Sequence, residues 1–179
     1  GGFGTRGSEG IIDTATYALE KNIPYLGICF GFQLAAIAFG RKMCNLENAN
    51  STEIVANTKH PIIDLLPEQK DETDMGGSLR LGANEIKINQ NSLAYKIYNS
   101  DKISKRHRHR YEFNTKYRDE FLKNGMIFSG ESDNGKRMEI LEIPTHKFFL
   151  GVQFHPEFNS RPGFPEDVFK TFVTAASQN

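Results

Sequence analysis

The chain has 179 residues, and 22 lysine and arginine residues balance 22 aspartate and glutamate residues, so the formal net charge is zero. This length suits one domain with a substantial core, and neutrality argues against a protein whose main task is to coat nucleic acid or an anionic membrane surface. The 38% hydrophobic content excludes a disordered chain, no apolar run reaches the roughly 18 residues of a membrane span, and the small number of cysteines, Cys29 and Cys44, predicts a reducing, cytoplasmic compartment.

The chain begins with a glycine loop, Gly1-Gly2-Phe3-Gly4, and its first residue is not methionine. A glycine turn normally connects two elements, and here the first of them is missing, so we interpret the sequence as part of a longer chain. A helix is then predicted from Ser8, a residue suited to capping, to Asn22. Its apolar positions are Ile11, Ile12, Ala15, Ala18 and Leu19.

A strand, a sharp turn and a helix follow in close succession. Residues 23–28 indicate a short buried strand, and Cys29 comes directly after it. Residues 32–41 are almost entirely apolar and predict a buried helix. This succession is typical of an α/β domain.

The rest of the chain is a mixture of loops, strands and helices. Residues 45–74 are polar and rich in turn residues, and we expect loops and short pieces there. Strands are predicted at 85–88, 126–131, 137–143 and 148–154, with an extended segment at 105–113. Helices are predicted at 93–98, 116–123 and 165–176.

The segment Gly27-Ile28-Cys29-Phe30-Gly31 lies between the predicted strand and the buried helix. A G-x-C-x-G segment in this position is the cysteine version of a nucleophile elbow, in which flanking glycines relieve contact with neighbouring backbone. The helix N-terminus favours the thiolate, and the N–H of Phe30 would point at a developing oxyanion. The alternative interpretation is a buried core cysteine beside incidental glycines.

A cysteine nucleophile needs a base, and His155 is the candidate. The predicted strand at 148–154 delivers His155 to its C-terminal end, where Pro156 interrupts strand pairing. Glu157 can accept a hydrogen bond from one ring nitrogen, which would fix the tautomer. A lone histidine is more often structural, but its combination with Cys29 and Glu157 favours a catalytic role.

A basic segment spans residues 106–112, with the sequence RHRHRYE. Strand alternation predicts its arginines on one face and His107, His109 and Tyr111 on the other. The segment is compatible with nucleic-acid binding, with a metal site at the two histidines, or with bidentate binding of a carboxylate or phosphate by the arginines. A solvated basic strand is the simplest alternative.

Together, the glycine loop, the Cys29 elbow and the FHPEF segment at 154–158 resemble the class I glutamine amidotransferases of the triad type. Three further stretches are similar to the glutaminase domain of the CTP synthase family, namely residues 47–53, 75–82 and 106–112. The resemblance covers essentially all 179 residues. It implies a flavodoxin-like α/β domain with a central, mostly parallel sheet. It also implies that residues 1–179 are one N-terminally incomplete glutaminase domain, with its first strands and the synthetase domain absent.

The resemblance implies a role for each matching residue. Cys29 would attack the side-chain amide of glutamine to give a thioester, His155 would be the general base and acid, and Glu157 would orient it. Gly2 and Phe30 would form the oxyanion hole. The implied glutamine-binding residues are Gly2, Phe30, Gly31, Phe32, Gln33, Glu53 and Arg110. No metal ion is implied at the site. Glu53 suits the α-ammonium group of glutamine, and Arg110 suits its α-carboxylate.

The resemblance also implies partners. Ammonia would pass to a synthetase domain of the same parent chain, which would use ATP and Mg²⁺ to aminate UTP to CTP, and GTP would activate the glutaminase. The full-length enzyme would be a homotetramer, and neither nucleic acid nor a membrane is expected as a partner. The phosphate loop G-x-x-x-x-G-K-[ST] is absent from these residues, so no cofactor is expected in this domain.

Two other functions remain open from the residues alone. A stand-alone γ-glutamyl hydrolase, or a related cysteine hydrolase, would use the same nucleophile and base on a different bond. A module that binds RNA or another anion through residues 106–110 would need neither Cys29 nor His155, and it would leave both residues unexplained.

Overall fold

Helices and strands alternate along the part of the chain that a computed structural model describes, residues 1–70 and 79–178. The helices are α1 (Ser8–Lys21), α2 (Phe30–Lys42), α3 (Pro67–Lys70), α4 (Leu93–Tyr98), α5 (Arg118–Lys123) and α6 (Asp167–Ser177). The strands are β1 (Tyr25–Ile28), β2 (Asn50–Ser51), β3 (Pro61–Asp64), β4 (Arg80–Ile88), β5 (Lys102–His109), β6 (Glu112–Phe113), β7 (Ile127–Ser132), β8 (Arg137–Glu142) and β9 (Phe149–Val152). Short 3₁₀ helices lie at Thr115–Tyr117, Asp133–Gly135 and Pro156–Asn159.

Six strands form the main sheet, in the order β1-β9-β8-β7-β4-β5. β1 and β9 are parallel, whereas the other neighbouring pairs are antiparallel. The prediction of an α/β domain is confirmed, but a mostly parallel sheet is wrong for the strands of this chain that the structure describes. The connections at residues 133–136 and 143–148 are too short for the crossover that a parallel pair requires, so β7, β8 and β9 run back and forth.

A second, small sheet has the order β2-β3-β6. Only loops and short pieces were expected over residues 45–74, because strands of two and four residues are too short to show a periodic pattern. The Thr52 N–H donates to the Ile63 carbonyl at 3.0 Å, and the Glu53 N–H donates to the Ser51 hydroxyl at 3.1 Å. The small sheet therefore fixes the backbone that carries Glu53.

The core lies on both faces of the main sheet. On one face, the buried side chains of α2 pack with residues of α1, α5 and the small sheet, among them Ile12, Ile63 and Phe121. On the other face, residues of α4 and α6 cover side chains of β8 and β9. Phe149 and Leu150, which are adjacent in β9, belong to opposite faces, so the sheet is a layer between two helical layers.

Most helix predictions are confirmed, with differences at the ends. The helix predicted at 93–98 is observed as Leu93–Tyr98. The prediction that Ser8 caps α1 is wrong, because Gly7 occupies the cap position with φ 75° and the Ser8 hydroxyl donates to the carbonyl of Thr5, which precedes the helix. Residues 75–78, the first half of the family-like stretch at 75–82, lie outside the described residues.

Candidate active site

Two neighbouring strand ends bring Cys29 and His155 to the same edge of the main sheet. Cys29 follows β1 directly, and its N–H donates at 2.8 Å to the carbonyl of Val152, the last residue of β9. His155 comes three residues after Val152. Because β1 and β9 are parallel, both residues lie at carboxyl ends of strands, where α/β sheets commonly place their sites.

Cys29 occupies the turn between β1 and α2, with φ 53° and ψ −102°. Such a conformation is costly for a residue other than glycine and is typical of a functional position. A Cβ on Gly27 would lie 2.5 Å from the Gly31 carbonyl oxygen, so only glycine fits there. A Cβ on Gly31 would meet the Tyr25 hydroxyl at 3.8 Å, an ordinary contact. The turn has the shape predicted for an elbow, but close backbone approach requires glycine at position 27 and not at 31.

The Cys29 thiol is buried, with 4% of the residue exposed. Burial raises its pKa to about 11, although a hydrogen bond from the Phe30 backbone acts in the opposite direction. The thiol donates to the carbonyl oxygen of Arg108, 3.8 Å away. The Phe30 N–H at the helix N-terminus thus acts toward the thiolate as expected, but desolvation outweighs it, so the expected fall in the pKa of the thiol is not observed. A neutral thiol of this kind would need a base to take its proton before it could act as a nucleophile.

His155 makes one hydrogen bond through its backbone and one through its ring. Its backbone N–H donates to the Arg106 carbonyl at 2.9 Å, and its ring Nδ1 lies 2.6 Å from a carboxylate oxygen of Glu157, which orients the ring. An ionised carboxylate can only accept, so the proton sits on Nδ1 and Nε2 carries the lone pair. Nε2 is buried without a hydrogen-bond partner among the residues that the structure describes. This is the arrangement of a general base.

A cavity of about 470 Å³ lies beside Cys29. Its lining residues are Gly2, Phe3, Cys29, Gln33, Glu53, Leu79, Arg108, His109, Arg110 and Tyr111. Opposite charges, on Glu53 and Arg110, thus share one cavity with the nucleophile. A larger cavity of about 740 Å³, between Glu9, Arg41 and Lys59, contains neither Cys29 nor His155.

The predicted glutamine-binding residues divide into two groups. Gly2, Gln33, Glu53 and Arg110 line the cavity. Phe30, Gly31 and Phe32 are not among its lining residues. A Cβ on Gly2 would lie 3.3 Å from the Phe30 ring, so the two proposed oxyanion-hole residues are neighbours. The Phe32 side chain is fully buried in the core, which leaves only its backbone for a role in binding.

Two of the cavity residues already make contacts within the protein. A Glu53 carboxylate oxygen accepts a hydrogen bond from the Gly4 N–H at 2.9 Å and so holds the glycine loop. The Gln33 side-chain amide donates to the Tyr111 carbonyl at 2.9 Å and to the Gln153 side chain at 3.1 Å. These supporting contacts join distant segments, and nothing in the local sequence pattern indicated them.

The basic segment alternates as predicted from Arg106 to His109, whereas Arg110 and Tyr111, which follow β5, are both half-buried. Arg106 and Arg108 are exposed, whereas His107 and His109 are 2% and 6% exposed. The placement of His109 and Tyr111 in the cavity wall was not predicted, although alternation had placed both on the inward face. Within residues 1–70 and 79–178, no group of three or more His, Cys, Asp or Glu residues is arranged to hold a metal ion. No helix in these ranges is long and apolar enough to cross a membrane.

Comparisons with known proteins point to one family. The sequence profile described as glutamine amidotransferase class-I matches residues 1–175. CTP synthases of Staphylococcus saprophyticus and Archaeoglobus fulgidus are each 54% identical over 176 residues, which is 98% of this chain and 33% of theirs. The chain therefore spans about a third of the length of these curated relatives.

Solved structures agree with the sequence relatives. The glutaminase domain of Trypanosoma brucei CTPS with bound acivicin has a TM-score of 0.93 at 38% identity, covering 100% of this chain and 69% of that chain. A glutamine amido transferase from Methylobacillus flagellatus has a TM-score of 0.55 at 14% identity, covering 85% of this chain and 45% of that chain. The second likeness concerns the fold alone.

Proposed function

The chain belongs to the class-I glutamine amidotransferases and, within them, to the glutaminase domains of CTP synthases, and we propose that it hydrolyses L-glutamine to glutamate and ammonia through a thioester on Cys29. The observation that carries this proposal is the cavity in which the Cys29 elbow meets Glu53 and Arg110. A free α-amino acid has one ammonium and one carboxylate, and these two side chains match that pair of charges.

The first half of the reaction forms the thioester. His155 Nε2 takes the thiol proton, and the sulfur of Cys29 attacks the side-chain amide carbon of glutamine, so that a C–S bond forms and the carbonyl oxygen becomes an oxyanion. The N–H groups of Gly2 and Phe30 stabilise that oxyanion. His155 then returns its proton to the nitrogen, the C–N bond breaks, and ammonia leaves.

The second half restores the enzyme. His155 takes a proton from water, and the resulting hydroxide attacks the thioester carbonyl carbon. The C–S bond breaks, the sulfur leaves with the proton from His155, and glutamate is released. Glu157 keeps the other ring nitrogen protonated throughout, so that Nε2 always faces the reaction.

A direct test measures ammonia and glutamate released from L-glutamine by the full-length protein that the gene encodes. We expect equal amounts of both products. γ-Glutamyl peptides offered in the same assay test the alternative of a γ-glutamyl hydrolase. Hydrolysis of such a peptide with no hydrolysis of glutamine would overturn the proposal in favour of that alternative.

We extend the proposal to the longer protein that the curated relatives exemplify, in which a synthetase domain uses the ammonia, ATP and Mg²⁺ to convert UTP to CTP. GTP is proposed as the activator and a homotetramer as the assembly. In that protein, Cys29→Ala is expected to abolish CTP formation from glutamine and to leave CTP formation from added ammonium intact. Loss of both activities in a folded variant would contradict a role for Cys29 confined to glutamine hydrolysis.

A further inference from the structure

One edge strand contacts both Cys29 and His155. Among the described strands, β5 pairs with β4 alone, at one end of the main sheet. The Arg106 carbonyl of β5 accepts the hydrogen bond from the His155 N–H at 2.9 Å, and the Arg108 carbonyl accepts the one from the Cys29 thiol at 3.8 Å. The backbone of β5 therefore shapes the surroundings of nucleophile and base together.

The inward face of β5 carries two histidines joined by a hydrogen bond. Nδ1 of His107 lies 3.0 Å from Nε2 of His109, and Nδ1 of His109 lies 3.2 Å from the Tyr111 carbonyl oxygen. A carbonyl oxygen can only accept, so neutral His109 carries its proton on Nδ1 and accepts at Nε2. His107 must then donate from Nδ1. We call these two rings and the Tyr111 carbonyl the histidine chain, and its hydrogen bonds run in one direction.

Buried carboxylates flank the histidine chain. A Glu139 oxygen lies 3.7 Å from Nδ1 of His107, and a Glu112 oxygen lies 3.6 Å from Nδ1 of His109. The arginine partners of these carboxylates are Arg80 for Glu139 and Arg137 for Glu112. Because each carboxylate has a guanidinium partner of its own, neither needs a charged imidazole as its counter-ion. The rings can therefore stay neutral, as the direction of the chain requires.

The end of the histidine chain reaches the cavity. The Tyr111 carbonyl accepts a hydrogen bond from His109 and another, at 2.9 Å, from the side-chain amide of Gln33. Gln33 lies in the first turn of α2, directly after the Cys29 elbow. Residues 106–111 thus present three carbonyls, one each to His155, Cys29 and Gln33.

We propose that His109, supported by His107, is a positioning residue of the glutaminase site that holds the backbone of residues 106–111 against Cys29. It acts through the Arg108 and Tyr111 carbonyls and exchanges no proton with the substrate. This inference rests on the proposed function, because it assigns a further role within the same site. Neither the comparisons nor the FHPEF and elbow motifs assign any role to this histidine.

The test compares two variants with one control in the full-length protein. His109→Phe keeps a ring of similar size but removes both nitrogens. His109→Gln places an amide near the position of Nε2 and removes the Nδ1 donor to the Tyr111 carbonyl. His60→Phe is the control, because His60 is half-buried against Tyr117 and lines no part of the cavity. Two quantities are measured: kcat and KM for glutamine, and the pH midpoint at which iodoacetamide alkylates Cys29, followed by mass spectrometry of the Cys29 peptide.

Both His109 variants are expected to lower kcat by about tenfold or more. Their alkylation midpoint is expected to fall by about half a pH unit, because the thiol loses the carbonyl acceptor that stabilises its neutral form. The negative charges that raise the pKa of the thiol, on Glu157 and Glu112, are unchanged in both variants. His60→Phe is expected to match the wild type in both measurements.

Wild-type kcat together with a wild-type alkylation midpoint, in either folded His109 variant, would overturn the positioning role. If His109→Phe does not fold, as judged by its thermal transition, His109→Gln decides by the same two measurements. A wild-type protein that released no ammonia would instead refute the proposed function. The alkylation midpoints alone would then decide whether His109 positions the backbone at Cys29.

Discussion

The hydrogen bond between His155 and Glu157 decides which ring nitrogen can act as a base. The 2.6 Å contact assigns the proton to Nδ1 and leaves Nε2 as a buried acceptor without a hydrogen-bond partner among the described residues. The buried Cys29 thiol, whose pKa is raised to about 11 by desolvation, needs that acceptor. In the proposed mechanism, the Glu157 carboxylate therefore influences the reactivity of Cys29 through the tautomer of His155.

The change Glu157→Gln tests this influence. An amide can donate to Nδ1 and so favours the wrong tautomer, and we expect kcat to fall by about 10²- to 10⁴-fold while KM stays within about threefold. Steady-state glutamine hydrolysis measures both constants. Glu85→Gln, at an exposed carboxylate paired with Lys102, is the matched control. A Glu157→Gln variant with wild-type kcat would show that the carboxylate does not set the tautomer.

The change Arg110→Lys tests substrate binding. Lysine keeps the charge but loses the planar fork that binds a carboxylate through two hydrogen bonds, so KM for glutamine is expected to rise by about tenfold or more with little change in kcat. Arg106→Lys is the control, since Arg106 is exposed and absent from the cavity lining. A lowered kcat with unchanged KM would place Arg110 in the chemical step instead of in binding.

At the scale of elements, the turn between β1 and α2 depends on one close approach. The Cα of Gly27 faces the Gly31 carbonyl so closely that an added Cβ would lie 2.5 Å from its oxygen. Backbone atoms cannot yield as a flexible side chain does, and α2 would have to move away from β1. Since Cys29 lies in this turn, its position would change with the helix.

Gly27→Ala is expected to destabilise the fold by about 2 kcal/mol or more and to reduce glutamine hydrolysis. Gly31→Ala is the matched control for stability, because its Cβ meets only an ordinary contact and alanine suits a helix better than glycine. Urea unfolding of both variants measures the difference in free energy. Equal stabilities would mean that α2 shifts at no cost and that the contact is unimportant.

Local pattern predicted the elements well wherever the chain supplied a full period. Helical spacing predicted α1, and an almost entirely apolar run predicted the buried α2, which begins earlier than expected because the elbow ends at Cys29 itself. β2 and β3 were missed because their pairing partners, and not their own residues, define them. The direction of strand pairing also depends on long-range contacts, and the expectation of a mostly parallel sheet was wrong for that reason.

At the scale of the whole molecule, the candidate site joins segments that are far apart in sequence. Its nucleophile, base and ion-pairing groups could be predicted individually, since each sits in a recognisable motif. Their supporting contacts could not be predicted, because Gly4 meets Glu53 and Gln33 meets Tyr111 only after folding. The histidine chain shows the same limit, because alternation placed both rings inward but could not identify the groups they contact.

Burial of the histidine chain makes a contribution to stability that is lost on acidification. Desolvation lowers the pKa of His107 to about 2 and that of His109 to about 4. Between pH 6.5 and 4 the unfolded chain therefore binds protons that the folded chain does not, and stability falls as the pH falls, by up to about 1.4 kcal/mol per pH unit for each histidine. Burial raises the pKa of Glu112 and Glu139, and these groups act in the opposite direction.

Comparison with His109→Gln isolates the histidine contribution. Urea unfolding at pH 6.5 and 4.5 is expected to show that the wild type loses more stability on acidification than the variant, by about 2 kcal/mol. The glutamine side chain does not titrate, and the carboxylates are present in both proteins. Equal losses would show that His109 is protonated as easily in the folded protein as in the unfolded chain.

We propose that Cys29 carries a γ-glutamyl thioester during turnover, and mass spectrometry of intact protein that is acid-quenched while it hydrolyses glutamine can detect this adduct. The wild type is expected to gain the mass of one γ-glutamyl group, located on the Cys29 peptide. Cys44→Ala is expected to gain the same mass, because Cys44 is buried beside α5 and lines no part of the cavity. Cys29→Ala is expected to gain none and to release no ammonia. Normal ammonia release by folded Cys29→Ala, or an adduct on a different residue, would show that Cys29 does not carry the thioester.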